Sequence, residues 1–362
     1  MSHKKAGWFN FSNAQLIPDQ DHDGLDDLLI ANGGDATIGN VLTPRPVERL
    51  LILSSRSGAI LHDAPVPDGR ETYCSPVLVR EGQDPAKWLL LFGTGGEAIG
   101  GHFYKATLGD LLKNDLSKAI ILVTETSKGV VAPALIVDLN ADNTPDYVIS
   151  TVAARTLAID GKTNQLLWGF QHPDAETYSM PAVGYFTGND NVPDFFVCYA
   201  IGTYPAYERG IQFLLDGATG KVVDQFESSG FSYASPLSAD LNDDGHDDAL
   251  VSVNATRKGS KEVINQLVGY DFHNKEQLIV GDALPGANFA ITPCLTDLDG
   301  DGDVEVLYGS LAASTLRYPG VLAGQSLPRQ TSLARHELRG LSLEAVRWGA
   351  YMGTTGNAVF KP

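Results

Sequence analysis

Short segments rich in aspartate recur along this chain, and their residue types and spacing suit the binding of a hard metal ion. In each segment an acid or asparagine stands at positions one, three and five, and another acid stands at position nine. The four complete segments are residues 19–27, 138–146, 240–248 and 297–305. Oxygen atoms at these positions, with a backbone carbonyl at position seven, can surround one calcium ion, which prefers about six to eight oxygen ligands.

The four segments therefore predict about four bound calcium ions, one for each segment. In the first two segments the predicted ligands are Asp19, Asp21, Asp23, Leu25, Asp27, Asp138, Asn140, Asp142, Thr144 and Asp146. In the other two they are Asp240, Asn242, Asp244, His246, Asp248, Asp297, Asp299, Asp301, Asp303 and Glu305. Magnesium demands a stricter octahedral geometry, and zinc prefers His or Cys in a pattern that these segments lack, so calcium is favoured.

An EF-hand is the obvious alternative, because it also begins with alternating acids, but it requires a glutamate at position twelve. Position twelve is occupied here by Ile30, Ile149, Val251 and Tyr308, all in apolar strand-like runs. The EF-hand interpretation therefore fails. Two further segments are degenerate: the one ending at Asp194 keeps only its last two acids, and the one near residue 84 has lost almost all of them. Metal binding is doubtful at both.

A second pattern, a strand followed by a tight turn and another strand, lies between successive acidic segments. It is clearest at residues 157–168 and 213–223, and weaker at 51–61 and 268–278. Gly or Asn at the tip supplies the positive φ that a hairpin turn needs. Helix-like periodicity is confined to residues 107–116 and 333–341, which disfavours a doubly wound α/β fold.

Six such units are legible, and they predict an all-β fold. They begin near residues 17, 75, 130, 177, 233 and 288. Their spacing is typical of the blades of a β-propeller, and each unit is predicted to be a four-stranded antiparallel blade. We expect one domain over residues 1–362, with seven blades favoured and six as the alternative. In the seven-bladed version residues 8–11 and 345–352 share a closing blade, which removes exposed sheet edges.

The acidic segments resemble FG-GAP and VCBS-type repeats, known from the β-propeller heads of integrin α-subunits and from many bacterial surface proteins. The hairpin from Asp160 to Trp168 also resembles the repeats of quinoprotein-like propellers. The resemblance implies calcium in inter-strand loops and a role in binding or adhesion, with the ligand roles carried onto the four complete segments. The rival function is that of a propeller enzyme, either a quinone-dependent dehydrogenase or a polysaccharide lyase.

The charge of the chain argues against a nucleic-acid partner. The formal net charge is −18, and Lys and Arg are scattered rather than clustered. No apolar run is long enough for a membrane helix. We expect a protein or carbohydrate ligand on a loop face, within a larger surface assembly, and Tyr204, Tyr207 and Arg209 are the predicted contacts. The alternative that these aromatic residues only pack between blades stays open.

The cysteines and histidines do not suggest catalysis. Cys74, Cys198 and Cys294 lie far apart in apolar contexts and are predicted to be buried free thiols, and the adjacent cysteine pair typical of many quinone dehydrogenases is missing. We expect no catalytic residue. Loops of this kind bind calcium weakly, so an extracytoplasmic location is expected. The first residues lack the apolar core of a signal peptide, so either the protein is cytoplasmic or its targeting segment is not part of this sequence.

Overall fold

Antiparallel β-sheets make up most of the ordered secondary structure of this protein. The computed structural model describes residues 13–32, 47–80, 82–188, 190–204, 206–289, 291–312 and 331–361. Within these residues the strands form six sheets, and the one α-helix is α1 (Leu108–Leu112). The chain divides into two compact units, residues 1–134 with 151–153 and residues 135–150 with 154–362.

The first unit contains two four-stranded sheets in which strands adjacent in sequence are adjacent in space. Sheet one consists of β1 (Gln15–Ile17), β2 (Asp27–Asn32), β3 (Arg49–Leu53) and β4 (Ile60–Pro65). Sheet two consists of β5 (Val77–Val79), β6 (Leu89–Gly93), β7 (Gly101–Thr107) and β8 (Ile120–Glu125). Ile17, Leu50, Leu90 and Leu108 belong to one buried core cluster, which holds this unit together by burial of apolar surface.

The second unit contains four antiparallel sheets, which have three to five strands among the described residues. Sheet three consists of β9 (Leu135–Val137), β10 (Asp146–Thr151), β11 (Arg155–Ile159) and β12 (Leu166–Gln171). Sheet four consists of β13 (Ala175–Glu176), β14 (Ala182–Gly184), β15 (Asp194–Thr203), β16 (Ala206–Leu215) and β17 (Val222–Ser228). Sheet five consists of β18 (Leu237–Ala239), β19 (Asp248–Thr256), β20 (Val263–Asp271), β21 (Glu276–Pro285) and β25 (Val346–Trp348). Sheet six consists of β22 (Cys294–Thr296), β23 (Val304–Leu311) and β24 (Thr331–Leu338).

Each sheet runs from buried early strands to more exposed late strands. In sheet three every residue of β9 and β10 is buried, whereas β12 keeps only Trp168 fully buried. Antiparallel connectivity also fixes where the loops lie: the first and third turns of a sheet are at one end, and the second turn is at the other. An acidic segment and the following hairpin of the same sheet are therefore neighbours.

The predicted fold class, an all-β β-propeller of four-stranded antiparallel blades, is confirmed, while the number of blades and the single-domain organisation stay predictions. The helix-like pattern at 107–116 corresponds to α1, which Thr107 and Asp110 cap reciprocally. The similar pattern at 333–341 does not form a helix, because those residues are mostly in β24, which pairs with β23. Of the predicted closing blade, β25 pairs with β18 in sheet five, and residues 8–11 lie outside the described residues.

Candidate functional site

The four acidic segments connect the first and second strands of sheets one, three, five and six. Position nine begins or nearly begins the second strand, and it is the most buried position of each segment. Asp27, Asp146, Asp248 and Glu305 are all at most 1% exposed. A buried carboxylate must be hydrogen-bonded or neutralised, because desolvation disfavours its charged form.

Position one shapes each segment by accepting backbone hydrogen bonds from residues further along it. Asp19 accepts from the N–H groups of His22 at 2.6 Å and Gly24 at 2.8 Å. Asp138, Asp240 and Asp297 accept in the same way from Asn143, Gly245 and Gly300 at 2.7–2.9 Å. The segments are therefore curled so that their side-chain oxygens turn inward, as a metal loop requires.

Position nine ties the segment to the rest of the sheet. One oxygen of Asp146 accepts from the backbone N–H of Leu139 at 3.0 Å, and the other accepts from Gly161 in the following hairpin at 2.8 Å. Asp27 repeats the arrangement with Gln20 at 2.7 Å and Ser55 at 3.2 Å. The acid at position nine thus has a structural role of its own.

Three other carboxylates, those of Asp240, Asp244 and Asp271, lie close enough to Asp248 to act on it by like charge. Burial, followed by the like charge of Asp271, raises the pKa of Asp248 to about 8, although a hydrogen bond from the Leu241 N–H lowers it. Burial likewise raises the pKa of Asp146. Carboxylates in this situation are stabilised either by a proton or by a metal cation.

Two segments bring three carboxylates together in a way that suits a metal ion. Ligand oxygens of Asp19, Asp21 and Asp27 lie within 4.8 Å of one another, and so do those of Asp297, Asp299 and Glu305. These are positions one, three and nine. The donors are all hard oxygens, so the residues fit calcium.

The other two segments have asparagine at position three, so a neutral amide replaces the position-three carboxylate there. The side-chain oxygen of Asn140 accepts from the Asp142 N–H at 3.0 Å, and its amide group donates to Asp160 in the hairpin at 3.3 Å. Asn242 donates to Asp271 at 2.8 Å in the equivalent place. An asparagine oxygen is also a calcium ligand, but these two segments offer one negative charge fewer.

Position five contacts side chains of the neighbouring hairpin. Asp23 pairs with Arg56 at 2.8 Å, and Asp142 pairs with Lys162 at 3.2 Å. Asp244 accepts from the Asn274 amide at 2.7 Å. Asp301 instead accepts from the N–H of Asp303 at 3.0 Å. These hairpin contacts were not predicted, because the donors lie roughly 20 to 35 residues away in the sequence.

The residues at position seven were predicted to contribute only a backbone carbonyl. They differ from one another in exposure and in the contacts that they make. Leu25 is 44% exposed. Asp303 accepts from the Gly340 N–H at 3.0 Å. His246 is half-buried, and its ring stacks on that of His273 with centroids 4.1 Å apart. Thr144 donates its N–H to Asp142 at 2.8 Å.

The two degenerate segments are organised by other contacts. Asp194 accepts from the Thr187 hydroxyl at 2.8 Å and from the Gly217 N–H at 3.2 Å, and burial raises its pKa to about 6. Asp84 accepts from the Ala86 N–H at the start of a 3₁₀ turn, Pro85–Lys87. In sheet two a short helical turn therefore replaces the acidic loop.

The predicted contact residues lie at the other end of sheet four. Tyr204 and Tyr207 flank the β15–β16 turn with ring centroids 6.5 Å apart. Both are hydrogen-bonded to buried Glu176: the Tyr204 N–H donates to its Oε2 at 3.1 Å, and the Tyr207 hydroxyl donates to the same atom. Arg209 is exposed and pairs with Glu227 on β17 at 3.3 Å.

Sequence reasoning missed Glu176, Tyr178 and Tyr233, which complete this group. A signal was present, because the tripeptide Glu-Thr-Tyr occurs at residues 71–73 and again at 176–178. In both copies the tyrosine hydroxyl donates to the glutamate, at 3.1 Å and 2.9 Å. Both copies lie in the segment that leads into a new sheet.

The prediction of free cysteines is confirmed for all three residues. Cys74 and Cys198 are buried, and Cys294 is half-buried. Burial raises the pKa of the Cys74 thiol to about 12 and also raises that of Cys198. Such thiols are poor nucleophiles at neutral pH, because the thiolate is the reactive form.

Comparisons with known proteins give likenesses of fold and not of sequence family. No family model matches the chain, and no curated protein matches it. BamB from Moraxella catarrhalis is 10% identical, with 84% of this chain and 75% of that chain covered and a TM-score of 0.42. The WD40 domain of Toxoplasma gondii coronin is 12% identical, with 80% and 66% covered and a TM-score of 0.44.

The quinohemoprotein alcohol dehydrogenase ADHIIG from Pseudomonas putida HK5 is 10% identical, with 91% of this chain covered and a TM-score of 0.49. The chain spans 60% of the length of that enzyme. Identities and scores of this size say nothing about activity. Among the described residues, no helix is both long and apolar enough to cross a membrane.

Proposed function

We propose that this protein is an extracytoplasmic binding or scaffolding module, a β-propeller whose acidic loops are stabilised by calcium. The observation that carries the proposal is the carboxylate group of Asp19, Asp21 and Asp27, whose oxygens lie within 4.8 Å of one another although Asp27 is fully buried. Three converging carboxylates repel one another unless a cation lies between them. A second such group lies in the segment 297–305, where the guanidinium group of Arg335 already contacts Asp299 and Glu305.

Hydrogen bonds within the protein hold the loops in a curled conformation that suits an ion. Asp19 curls the first loop by accepting three backbone N–H groups, and Asp27 fixes its ends against the hairpin. Calcium bound there would supply positive charge and cross-link the two strands that the loop connects. About four ions would occupy the four complete segments, with ligands at positions one, three, five, seven and nine.

The proposed location follows from the weakness expected of such sites. Loops of this kind, which lie largely at the surface, are expected to bind calcium weakly, at roughly 10⁻⁴–10⁻³ M, which is the range of extracellular modules. Cytosolic calcium would leave them empty. Fractionation of cells that express the native gene tests this, and recovery of the protein only in the cytosol would contradict it.

Calcium binding is tested by metal analysis after equilibrium dialysis. We expect about four ions in the wild-type protein, and one fewer in Asp21→Ala, because that change removes a ligand side chain from the first loop. The matched control is Asp26→Ala, which removes a carboxylate from an exposed neighbour that is not a predicted ligand. Finding one ion or none in the wild type, or equal loss in both variants, would contradict the proposal.

The proposed role is binding and not catalysis. An ultraviolet-visible spectrum of protein purified from its native host tests the main alternative. We expect no cofactor absorption, and a quinone band would overturn the proposal in favour of a redox enzyme.

A further inference from the structure

After β24 the chain crosses the first strands of several sheets in the second unit. We call residues 345–360 the strap. Its β25 pairs with β18 of sheet five, and Val359 forms a parallel bridge to Ile136 in β9 of sheet three. Between these two points, the carbonyl oxygen of Gly349 accepts from the Leu295 N–H in β22 of sheet six at 2.7 Å. The strap therefore contacts the first strands of sheets three, five and six.

Each of these contacts lies at the beginning of a complete acidic segment or just before it. The Asp240 N–H donates to the carbonyl oxygen of Ala345 at 3.1 Å, and Asp240 is position one of its segment. Ile136 and Leu295 each precede position one of a segment by two residues. Three of the four proposed calcium loops are thus connected, at the same end, to one strap.

A second contact reaches the other end of the acidic segment of sheet five. Arg347 of the strap pairs with Asp247 at 3.3 Å, and Asp247 is buried directly before the position-nine acid. The other carboxylate oxygen of Asp247 accepts from the Tyr185 N–H at 2.7 Å. The Tyr185 ring in turn lies 6.1 Å from the ring of Phe360 in the strap. The strap therefore contacts this segment at both ends and extends the connection to sheet four.

Burial of apolar side chains makes the strap an integral part of the second unit. Its buried residues include Val346, Trp348, Met352, Ala358 and Phe360. Val346 belongs to the same core cluster as Leu237 and Leu295. Two backbone hydrogen bonds of 2.8 Å, from Ile136 to Ala358 and from Phe360 to Ile136, fix the last residues of the strap. Opening of the strap is therefore a local unfolding event, and its frequency depends on the contacts that hold the strap.

We propose that the strap and the calcium ions of the second unit stabilise each other. This inference rests on the proposed calcium binding. An ion bound to Asp240 holds the backbone of that residue in place, and the Asp240 N–H is a hydrogen-bond donor to the strap. The strap therefore loses less conformational entropy when it docks against loops that calcium has already ordered. Coupling of this kind is reciprocal, so a docked strap raises the calcium affinity of the loops by the same factor.

Hydrogen exchange measured by mass spectrometry, in excess calcium and in excess chelator, tests the proposal. We expect peptides of the strap to exchange about tenfold more slowly in calcium. The reference is the β6–β7 hairpin of sheet two, where a short helical turn replaces the acidic loop. Its peptides should change less, because the acidic segment of that sheet is degenerate.

Two matched variants separate coupling to the strap from a general loss of stability. Asp244→Ala removes the position-five carboxylate from the loop of sheet five, and Asp23→Ala removes the position-five carboxylate from the loop of the first unit. Each should lose one ion. In excess calcium we expect strap peptides to exchange about fivefold faster in Asp244→Ala than in wild type, and to be nearly unchanged in Asp23→Ala.

The reciprocal effect is measured by calcium titration. Phe360→Ala loosens the strap without removing a predicted ligand, and it should lower the calcium affinity of the second-unit sites about fivefold. The control is Leu333→Ala, which changes an exposed leucine of β24. Its calcium affinity should equal that of the wild-type protein.

Three results would overturn the inference while metal analysis still finds bound calcium. The first is equal strap exchange in calcium and in chelator. The second is an equal change of strap exchange in Asp244→Ala and Asp23→Ala. The third is wild-type calcium affinity in Phe360→Ala. Metal analysis that finds no bound ion would instead contradict the calcium proposal itself, so the two failures are distinguishable.

Discussion

The buried carboxyl group of Asp194 should give the stability of this protein a pH dependence that asparagine at the same position removes. Asp194 is 4% exposed and lies in the degenerate segment of sheet four, where the set of calcium ligands is incomplete. Burial raises its pKa from the ordinary value of 3.8 to about 6, against the opposing effect of hydrogen bonds from Thr187 and Gly217. The folded protein therefore holds this proton more tightly than the unfolded chain does.

The sign and size of the effect follow from that difference. The contribution of Asp194 to stability is complete below its unfolded pKa of 3.8 and is lost as the pH rises through about 6. One pKa unit corresponds to about 1.4 kcal/mol, so the full change is about 3 kcal/mol. Asp194→Asn cannot ionise. Relative to wild type, its free energy of unfolding should rise by about 2.4 kcal/mol between pH 4 and pH 7, because part of the full change lies below pH 4.

Urea unfolding followed by fluorescence at a series of pH values, in excess calcium, measures this difference. The control is Asp190→Asn, which changes an exposed acid of the same loop. Its stability relative to wild type should vary little with pH. A wild-type to Asp194→Asn difference that stays constant from pH 4 to pH 7 would show that burial does not perturb this carboxyl group.

Three further predictions follow from contacts in the structure. Gly161→Ala should destabilise the protein by about 2 kcal/mol or more in urea unfolding, because its Cβ would lie 1.7 Å from the carbonyl oxygen of Pro145. Arg335→Gln should increase calcium affinity up to about fivefold in a calcium titration, because the guanidinium group contacts the ligand carboxylates Asp299 and Glu305 and competes with the ion. Cys74 should resist alkylation by iodoacetamide in the folded protein and react after denaturation, as mass spectrometry of digests would show.

The acidic loops could be predicted because each position has a local chemical requirement. The curl imposed by Asp19 and the burial of Asp27 both follow from residues within the same nine-residue segment. The hairpin turns could also be predicted, because Gly or Asn at the tip indicates a positive φ. Asn164 has a φ of 59° and Gly220 has a φ of 67°. These features depend on nearby residues, so the sequence alone was sufficient to identify them.

Contacts between distant segments could not be predicted in the same way. Tyr207 meets Tyr178 and Tyr233 only because β15 and β16 form a long hairpin that reaches two neighbouring connections. The helix-like spacing at residues 333–341 was misleading because pairing with β23 determines the structure of β24. Tertiary pairing overrides local periodicity in short segments of this kind.

The ion pairs at position five are also contacts between distant segments, and they too could not be predicted from the acidic segments. Arg56 and Lys162 belong to hairpins, and nothing within the acidic segments indicates that these cations contact Asp23 and Asp142. Such exposed ion pairs contribute little to stability by themselves, about 0–1 kcal/mol. They are nevertheless the contacts that calcium would have to displace or share.

The central claim is that calcium stabilises the fold, and thermal melts in excess calcium and in excess chelator test it most directly. A ligand that binds only the folded state adds about 2.7 kcal/mol for each independent site at a hundredfold excess over Kd. We expect the wild-type protein to melt at a clearly higher temperature in calcium. Asp142→Ala and Asp244→Ala should each stay folded and lose part of that shift, and superimposable wild-type melts in calcium and chelator would contradict the structural role of the loops.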